Sequence, residues 1–280
     1  MKRILITGGG GMLACALAES FNDGQVLSLP RAEMDITDLQ QTWSIVRDYK
    51  PHVILNPAAF TRVDDCEIFA ERAFAVNARG AENIAVCARR AGARLVHFST
   101  DYIFDGQSSV SYREDDRPNP LSVYGASKLA GEVLVRKALP RHYIVRTSWL
   151  FGKSGANFVS FVRQKLTEQK YVQAAIDQIG SPTFTDDLAR AVKLLIETDC
   201  YGTYHLTNSG FCSRYQLALE IAGLADCCQD LVIPIKMEQL KLPANRPRFT
   251  VLDNASWRIR GFKPVRHYKK ALRDFFKDVL

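Results

Sequence analysis

Three side chains in this sequence are spaced for the reduction of a carbonyl. Tyr124 and Lys128 lie four residues apart in Tyr-Gly-Ala-Ser-Lys, about two dozen residues after Ser99-Thr100-Asp101. Residues four apart on a helix share a face, so this spacing sets the Lys128 ammonium beside the Tyr124 phenol. A free tyrosine titrates near pH ~10, and a nearby cation favours the phenolate. That moves Tyr124 toward a range in which it can give a proton to a carbonyl oxygen at neutral pH. Alone, Tyr-x-x-x-Lys is usually an exposed lysine beside a half-buried tyrosine. The pattern gains meaning only if the rest of the chain supplies a hydride donor.

The elements that must position these residues are legible in the apolar rhythm. Short Val-, Ile- and Leu-rich runs at 3–7, 25–29, 53–56, 94–99 and 143–147 alternate with helical periodicity at 12–21, 39–49, 67–91 and 123–138. Strands without polar alternation belong to a sheet covered on both faces, so the expectation is an α/β fold with a Rossmann-type doubly wound parallel sheet. After Trp149 the rhythm changes. Helical stretches at 157–169, 186–197 and 215–223 mix with isolated short strands such as 203–207, and an amphipathic helix closes the chain near 267–279. We expect a dinucleotide-binding domain over 1–150 and a smaller C-terminal α/β substrate lobe over 151–280, packed on the carboxyl edge of the sheet. Asp186, before an apolar helical run, reads as a helix cap or first-turn acid.

The first strand runs into Thr7 and four glycines and then a helix start. Gly8-x-x-Gly11-x-x-Ala14 fits a dinucleotide fingerprint with a small residue in its last position. Gly8, Gly10 and Gly11 permit positive φ and close backbone approach. The helix start at Met12 and Leu13 offers N–H groups to a diphosphate. At the end of strand two, Pro30-Arg31 replaces the acid that would bind a ribose 2′-hydroxyl. Arg31 suits a 2′-phosphate, with a solvated surface arginine as the other reading; Asp35 and Ile36 are expected near the adenine. NADPH is the expected cofactor, with NADH tolerated.

Composition bounds the remaining classes. The chain has 280 residues, 47% hydrophobic and 24% charged, with no apolar run approaching the ~18 residues of a bilayer span. Its seven cysteines form no C-x-x-C and no zinc spacing with the five histidines, so neither zinc nor disulfides are expected and a cytoplasmic setting is. The net charge of +7 is dispersed, without the aromatic-interleaved stripe of a nucleic-acid surface, and suits polyanionic small ligands.

The fingerprint, Ser99-Thr100 and Tyr124-x-x-x-Lys128 together resemble the extended short-chain dehydrogenase/reductase superfamily. Four further segments are similar to those of the dTDP-4-dehydrorhamnose reductase family: Asn56-Pro-Ala-Ala-Phe-Thr61-Arg-Val63-Asp64, Ser99-Thr100-Asp101-Tyr102-Ile-Phe-Asp105-Gly106, Arg146-Thr-Ser-Trp149-Leu-Phe-Gly152 and Gly180-Ser-Pro-Thr183-Phe-Thr-Asp186. The resemblance implies reduction of the C4 ketone of dTDP-4-dehydro-L-rhamnose. It makes Tyr124 the general acid, Lys128 the group that lowers its pKa and holds the nicotinamide ribose, and Thr100 a donor to the substrate oxygen. Ala58 and Ala59 would line the nicotinamide, with Thr61, Val63, Asp64 and Asp101 bordering the sugar. Trp149 would pack on the deoxysugar, with inter-lobe core as its other reading, and Arg246 would meet the diphosphate, with a surface-loop arginine as the alternative. Phe249-Thr250 departs from the family's usual Asn-Ser, and the glutamates through which some relatives share magnesium do not map, so no metal is expected. A monomer or homodimer fits. The alternatives are another nucleotide-linked 4-keto-6-deoxysugar, or a non-catalytic NADP-binding subunit similar to the methionine adenosyltransferase β subunit.

Overall fold

The computed structural model describes residues 2–22 and 24–279. In chain order the first half is β1 (Arg3–Thr7), α1 (Met12–Ser20), β2 (Gln25–Leu29), α2 (Leu39–Tyr49), β3 (Val53–Asn56), α3 (Val63–Ile68), α4 (Ala70–Phe74), α5 (Ala81–Ala91), β4 (Arg94–Thr100), α6 (Val123–Ala138) and β5 (His142–Thr147). The second half is β6 (Leu150–Phe151), α7 (Phe158–Thr167), β7 (Val172–Ala175), β8 (Ile179–Gly180), β9 (Thr183–Phe184), α8 (Thr185–Leu195) and β10 (Gly202–His205). Then follow β11 (Cys212–Ser213), α9 (Arg214–Leu224), β12 (Val232–Ile235), α10 (Ala255–Ile259) and α11 (Tyr268–Val279).

Six strands form one parallel sheet in the order β10-β5-β4-β3-β1-β2. Successive side chains of a strand face opposite sides, and both sides are covered. Ile4 and Ile6 join Leu17 of α1 and Val192 of α8 in one core, while Leu5 joins Ile84 of α5 and Val135 of α6 in another. Hence β1 shows no alternation of apolar and polar residues. The strand order reverses between β1 and β3, so the connections that follow them leave toward opposite faces and open a crevice.

Two expectations need correction. The run at 67–91 is not one helix: the chain breaks at Phe69 between α3 and α4 and then widens into a π-helical turn, Ala75–Gly80, before α5. Apolar periodicity does not register a turn that is one residue longer, so the sequence reads through it. The stretch 203–207, expected as an isolated strand of the C-terminal lobe, is β10, paired in parallel with β5 from Gly202↔Tyr143 to His205↔Arg146. Its partner lies far upstream, which no local pattern announces. Helix α8 returns with it and packs on α1.

The rest of the second half has its own core. Phe151 stacks on Phe184, and Phe275 of α11 meets both edge-on. Around them lie the two-stranded pairs β6–β9, β7–β12 and β8–β11. Among the described residues no helix is long and apolar enough to cross a membrane.

Candidate active site

The crevice at the strand-order reversal is a cleft of about 660 Å³. One end is the glycine loop after β1. Gly8 and Gly10 have φ of +65° and +84°, a region that side chains strain to enter. A Cβ on Gly8 would come within 3.0 Å of the Ala58 backbone, so the loop and the segment after β3 approach closely only with glycine there. Helix α1 begins after Gly11 with no side-chain cap and no acid in its first turn. Its first N–H groups therefore face the cleft as a ready anion site. Those residues fit the diphosphate of a dinucleotide.

At the other end, α6 carries the reactive pair. Ser122 caps it by accepting from the Gly125 N–H at 3.1 Å. Tyr124 faces Thr100 at the end of β4 and meets Tyr102 edge-on. Burial pushes the Tyr124 phenol well above its ordinary value, and the nearby Thr100 hydroxyl only partly opposes this. The Lys128 ammonium donates to the Phe98 carbonyl at 2.6 Å rather than to the phenol. Burial pushes Lys128 down to about 8, with Glu132 opposing. The expected depression of the tyrosine by the lysine is thus absent from this ligand-free arrangement. The reason is that desolvation outweighs a cation whose charge is taken up by a carbonyl and by Glu132.

Gly8, Gly10, Gly11, Met12, Leu13, Arg31, Asp35, Ile36, Ala58, Ala59, Thr61, Thr100, Asp101, Tyr124, Lys128 and Trp149 all line this one cleft. Arg31 is not free: its guanidinium pairs with Asp35 at 3.1 Å. Burial raises the Asp35 carboxyl, but hydrogen bonds from Thr37 and Arg31 outweigh it and hold the group below its ordinary value. Val63, Asp64 and Arg246 do not line the cleft. Asp64 and Arg246 form a two-pronged pair, at 2.9 and 2.7 Å, that ties the loop at 244–246 to α3. The Arg246 guanidinium holds Asp64 below the usual carboxylate range. Each is the other's charge partner.

Trp149 sits at the cleft wall with φ of +45°, a strained value for a bulky residue. Its indole is partly covered. The Arg214 guanidinium stacks on it at 3.6 Å from the ring centroid and on Phe158 at 4.7 Å. A Cβ on Gly180 would fall 2.6 Å from another part of the ring. The buried Trp149 Nε1 and Thr147 Oγ1, both in the cleft wall, have no hydrogen-bond partner.

Three contributors escaped the sequence reading. Arg214 lines the cleft and, among the described residues, makes no ion pair; nothing around it in sequence marks it. Asn77, in the π-helical turn, bonds both Phe60 backbone groups at 2.8 and 3.0 Å and Ser127 of α6 at 3.0 Å, clamping the segment after β3 to the catalytic helix. Glu132, fully buried one turn beyond Lys128, meets Arg146 at 2.9 Å and Arg136 at 2.7 Å. Its spacing, four residues after Lys128 and four before Arg136, was the available signal. Among the described residues no group of three or more His, Cys, Asp or Glu side chains is arranged to hold a metal ion.

Comparison with known proteins adds a decisive match: the model of the RmlD substrate binding domain family fits residues 1–280. The chain belongs to that family. The spore coat polysaccharide biosynthesis protein SpsK of Bacillus subtilis is 36% identical over 283 residues, covering 99% of this chain and 98% of the relative. The dTDP-4-keto-6-deoxy-D-glucose reductase of Streptomyces niveus is 37% identical over 278 residues, covering 98% and 96%. A crystal structure of dTDP-4-dehydrorhamnose reductase from Bacillus anthracis in complex with NADP superposes with a TM-score of 0.96 at 37% identity, covering 99% of both chains.

Proposed function

We propose that this protein is an NADPH-dependent reductase of a dTDP-linked 4-keto-6-deoxysugar, with dTDP-4-dehydro-L-rhamnose as substrate and dTDP-L-rhamnose as product. The observation that carries the reading is that one cleft gathers an uncapped glycine-loop helix start, Tyr124 facing Thr100, and Lys128. When bound there, the dinucleotide supplies the hydride. The first-turn N–H groups of α1 hold its diphosphate, and Lys128 reaches its ribose by turning from the Phe98 carbonyl. Tyr124, kept protonated by burial, gives its proton to the C4 oxygen. Thr100 donates to the same oxygen as negative charge develops there. Arg214, which lines the cleft, is stacked on Trp149 and makes no ion pair among the described residues, suits the oxygens of the sugar or its diphosphate.

NADPH oxidation with dTDP-4-dehydro-L-rhamnose tests this directly. Tyr124→Phe should lose on the order of 10²–10⁴ in rate; full turnover by that variant would remove Tyr124 as the acid. Arg31 bears on the cofactor, since a 2′-phosphate must compete with Asp35 for it. Arg31→Ala should lower kcat/KM for NADPH while sparing NADH, and an unchanged ratio refutes the assignment.

A second reading draws on the names of the Streptomyces niveus and Bacillus anthracis proteins, which differ in sugar at the same identity to this chain. Under it the substrate is a different dTDP-4-keto-6-deoxyhexose. NMR of the product formed from each 4-keto sugar separates the two. No turnover with any of them, alongside tight NADPH binding, would favour a non-catalytic subunit.

A further inference from the structure

We propose that Asp101 is a positioning residue that sets the direction of the Thr100 hydroxyl, and thereby when Thr100 is free to donate to the substrate ketone. This rests on the reading that Thr100 and Tyr124 face that ketone.

A threonine hydroxyl has one hydrogen and two acceptor lone pairs. Thr100 Oγ1 lies 3.0 Å from Asp101 Oδ1, accepts the Tyr102 N–H at 3.2 Å, and faces the Tyr124 phenol. An ionised carboxylate only accepts, so the single Thr100 hydrogen goes to Asp101. The carboxylate has no freedom to turn away. Its other oxygen accepts from Thr250 Oγ1 at 2.6 Å, and the residue is 2% exposed. Asp101, expected from the sequence to border the sugar, is thus spent on two hydroxyls. With Asp101 ionised, Thr100 has nothing left for a ligand.

Protonation of Oδ1 reverses the first bond. The carboxylic acid donates to Thr100 Oγ1, and the Thr100 hydrogen turns to the cleft. Together with the Tyr124 phenol, it gives the ketone oxygen two donors. The proton that ends on the product oxygen is Tyr124's; the proton of Asp101 stays where it is. Arg214 from α9, Tyr102 beside it, Tyr124 from α6 and Thr250 from the loop before α10 are the titratable and polar groups facing Asp101, with Arg246 beyond Tyr102. Burial pushes the Asp101 carboxyl up to about 6, against the two hydroxyl bonds and Arg214. The exchange therefore falls in a reachable pH range.

Single-turnover hydride transfer, followed by NADPH absorbance at pH values bracketing that titration, tests the proposal. The wild-type rate should fall as pH rises through the Asp101 titration. Asp101→Asn presents an amide donor to Thr100 at every pH, so its rate should lose that fall and exceed wild type on the alkaline side. Thr250→Val removes a bond to the ionised form and should move the wild-type inflection upward. An Asp101→Asn protein that binds NADPH yet keeps the wild-type profile overturns the proposal. So does one that is slower by on the order of 10² at every pH, or an inflection unmoved in Thr250→Val. The infrared carbonyl stretch of a protonated carboxyl gives a readout independent of substrate. Near the titration midpoint it should be present in the wild type and missing from Asp101→Asn; its absence from the wild type refutes the idea. Failure of the wild type to reduce any dTDP-4-keto sugar would count against the function, and this last measurement would still decide the role of Asp101.

Discussion

Gly125→Ala should damage catalysis and stability together, because the residue after Tyr124 is where α6 comes closest to the end of β4. A Cβ on Gly125 would lie 3.0 Å from Pro120 Cβ and 3.0 Å from the Tyr102 carbonyl carbon, and would overlap the Tyr102 carbonyl oxygen. Carbon atoms rest at about 3.5–4.0 Å, so the two carbon contacts alone demand a retreat of roughly 0.5–1 Å and the overlapped oxygen demands more. The retreat would draw Tyr124 and Lys128 away from Thr100, and a misplacement of about 1 Å costs on the order of 10²-fold in rate. Overpacking costs about 1–3 kcal/mol, and the better helix propensity of alanine returns up to ~1 kcal/mol. A net loss of about 1–2 kcal/mol lowers Tm by several degrees in a chain of this size. Gly223→Ala is the control. It is also helical, but a Cβ there meets only the Gln229 side chain at 3.7 Å, so stability should hold or rise. Steady-state kcat/KM and thermal unfolding of both variants give the answer. Wild-type rate and Tm for Gly125→Ala would refute the close approach and the positioning argument built on it.

Two further variants probe the charges behind the site. Lys128 is pushed down to about 8 from 10.5, so the unfolded chain holds more protons between those values and stability from this group rises with pH across that window. NADPH affinity should fall as pH climbs through about 8, and Lys128→Met should abolish both trends in fluorescence titration and urea unfolding. Glu132→Gln leaves Arg146, 2% exposed, without its counter-charge. That should cost about 3–5 kcal/mol in urea unfolding, and pairing Glu132→Met with Arg146→Met should recover more than half of it.

The sequence by itself determined the sheet, the glycine loop and the reactive trio. These rest on short-range rules: apolar strands, a glycine turn before a helix, and a four-residue spacing on one helical face. Those rules placed Gly8, Tyr124, Lys128 and Thr100 around one space, as the cleft confirms for their location. Tertiary structure decided whatever depends on who neutralises whom. Arg246 has its charge partner in Asp64, far upstream. Trp149 carries Arg214 stacked on its ring, from a helix well downstream. The Lys128 ammonium looked like the acidifier of Tyr124, but the Phe98 carbonyl holds it and burial sets the phenol's pKa instead. Strand β10 lacked a sheet until β5 lay beside it. Spacing along a chain fixes which side chains share a helical face or a strand end. Desolvation and long-range partners fix their charge and their freedom, and only the folded chain brings those together.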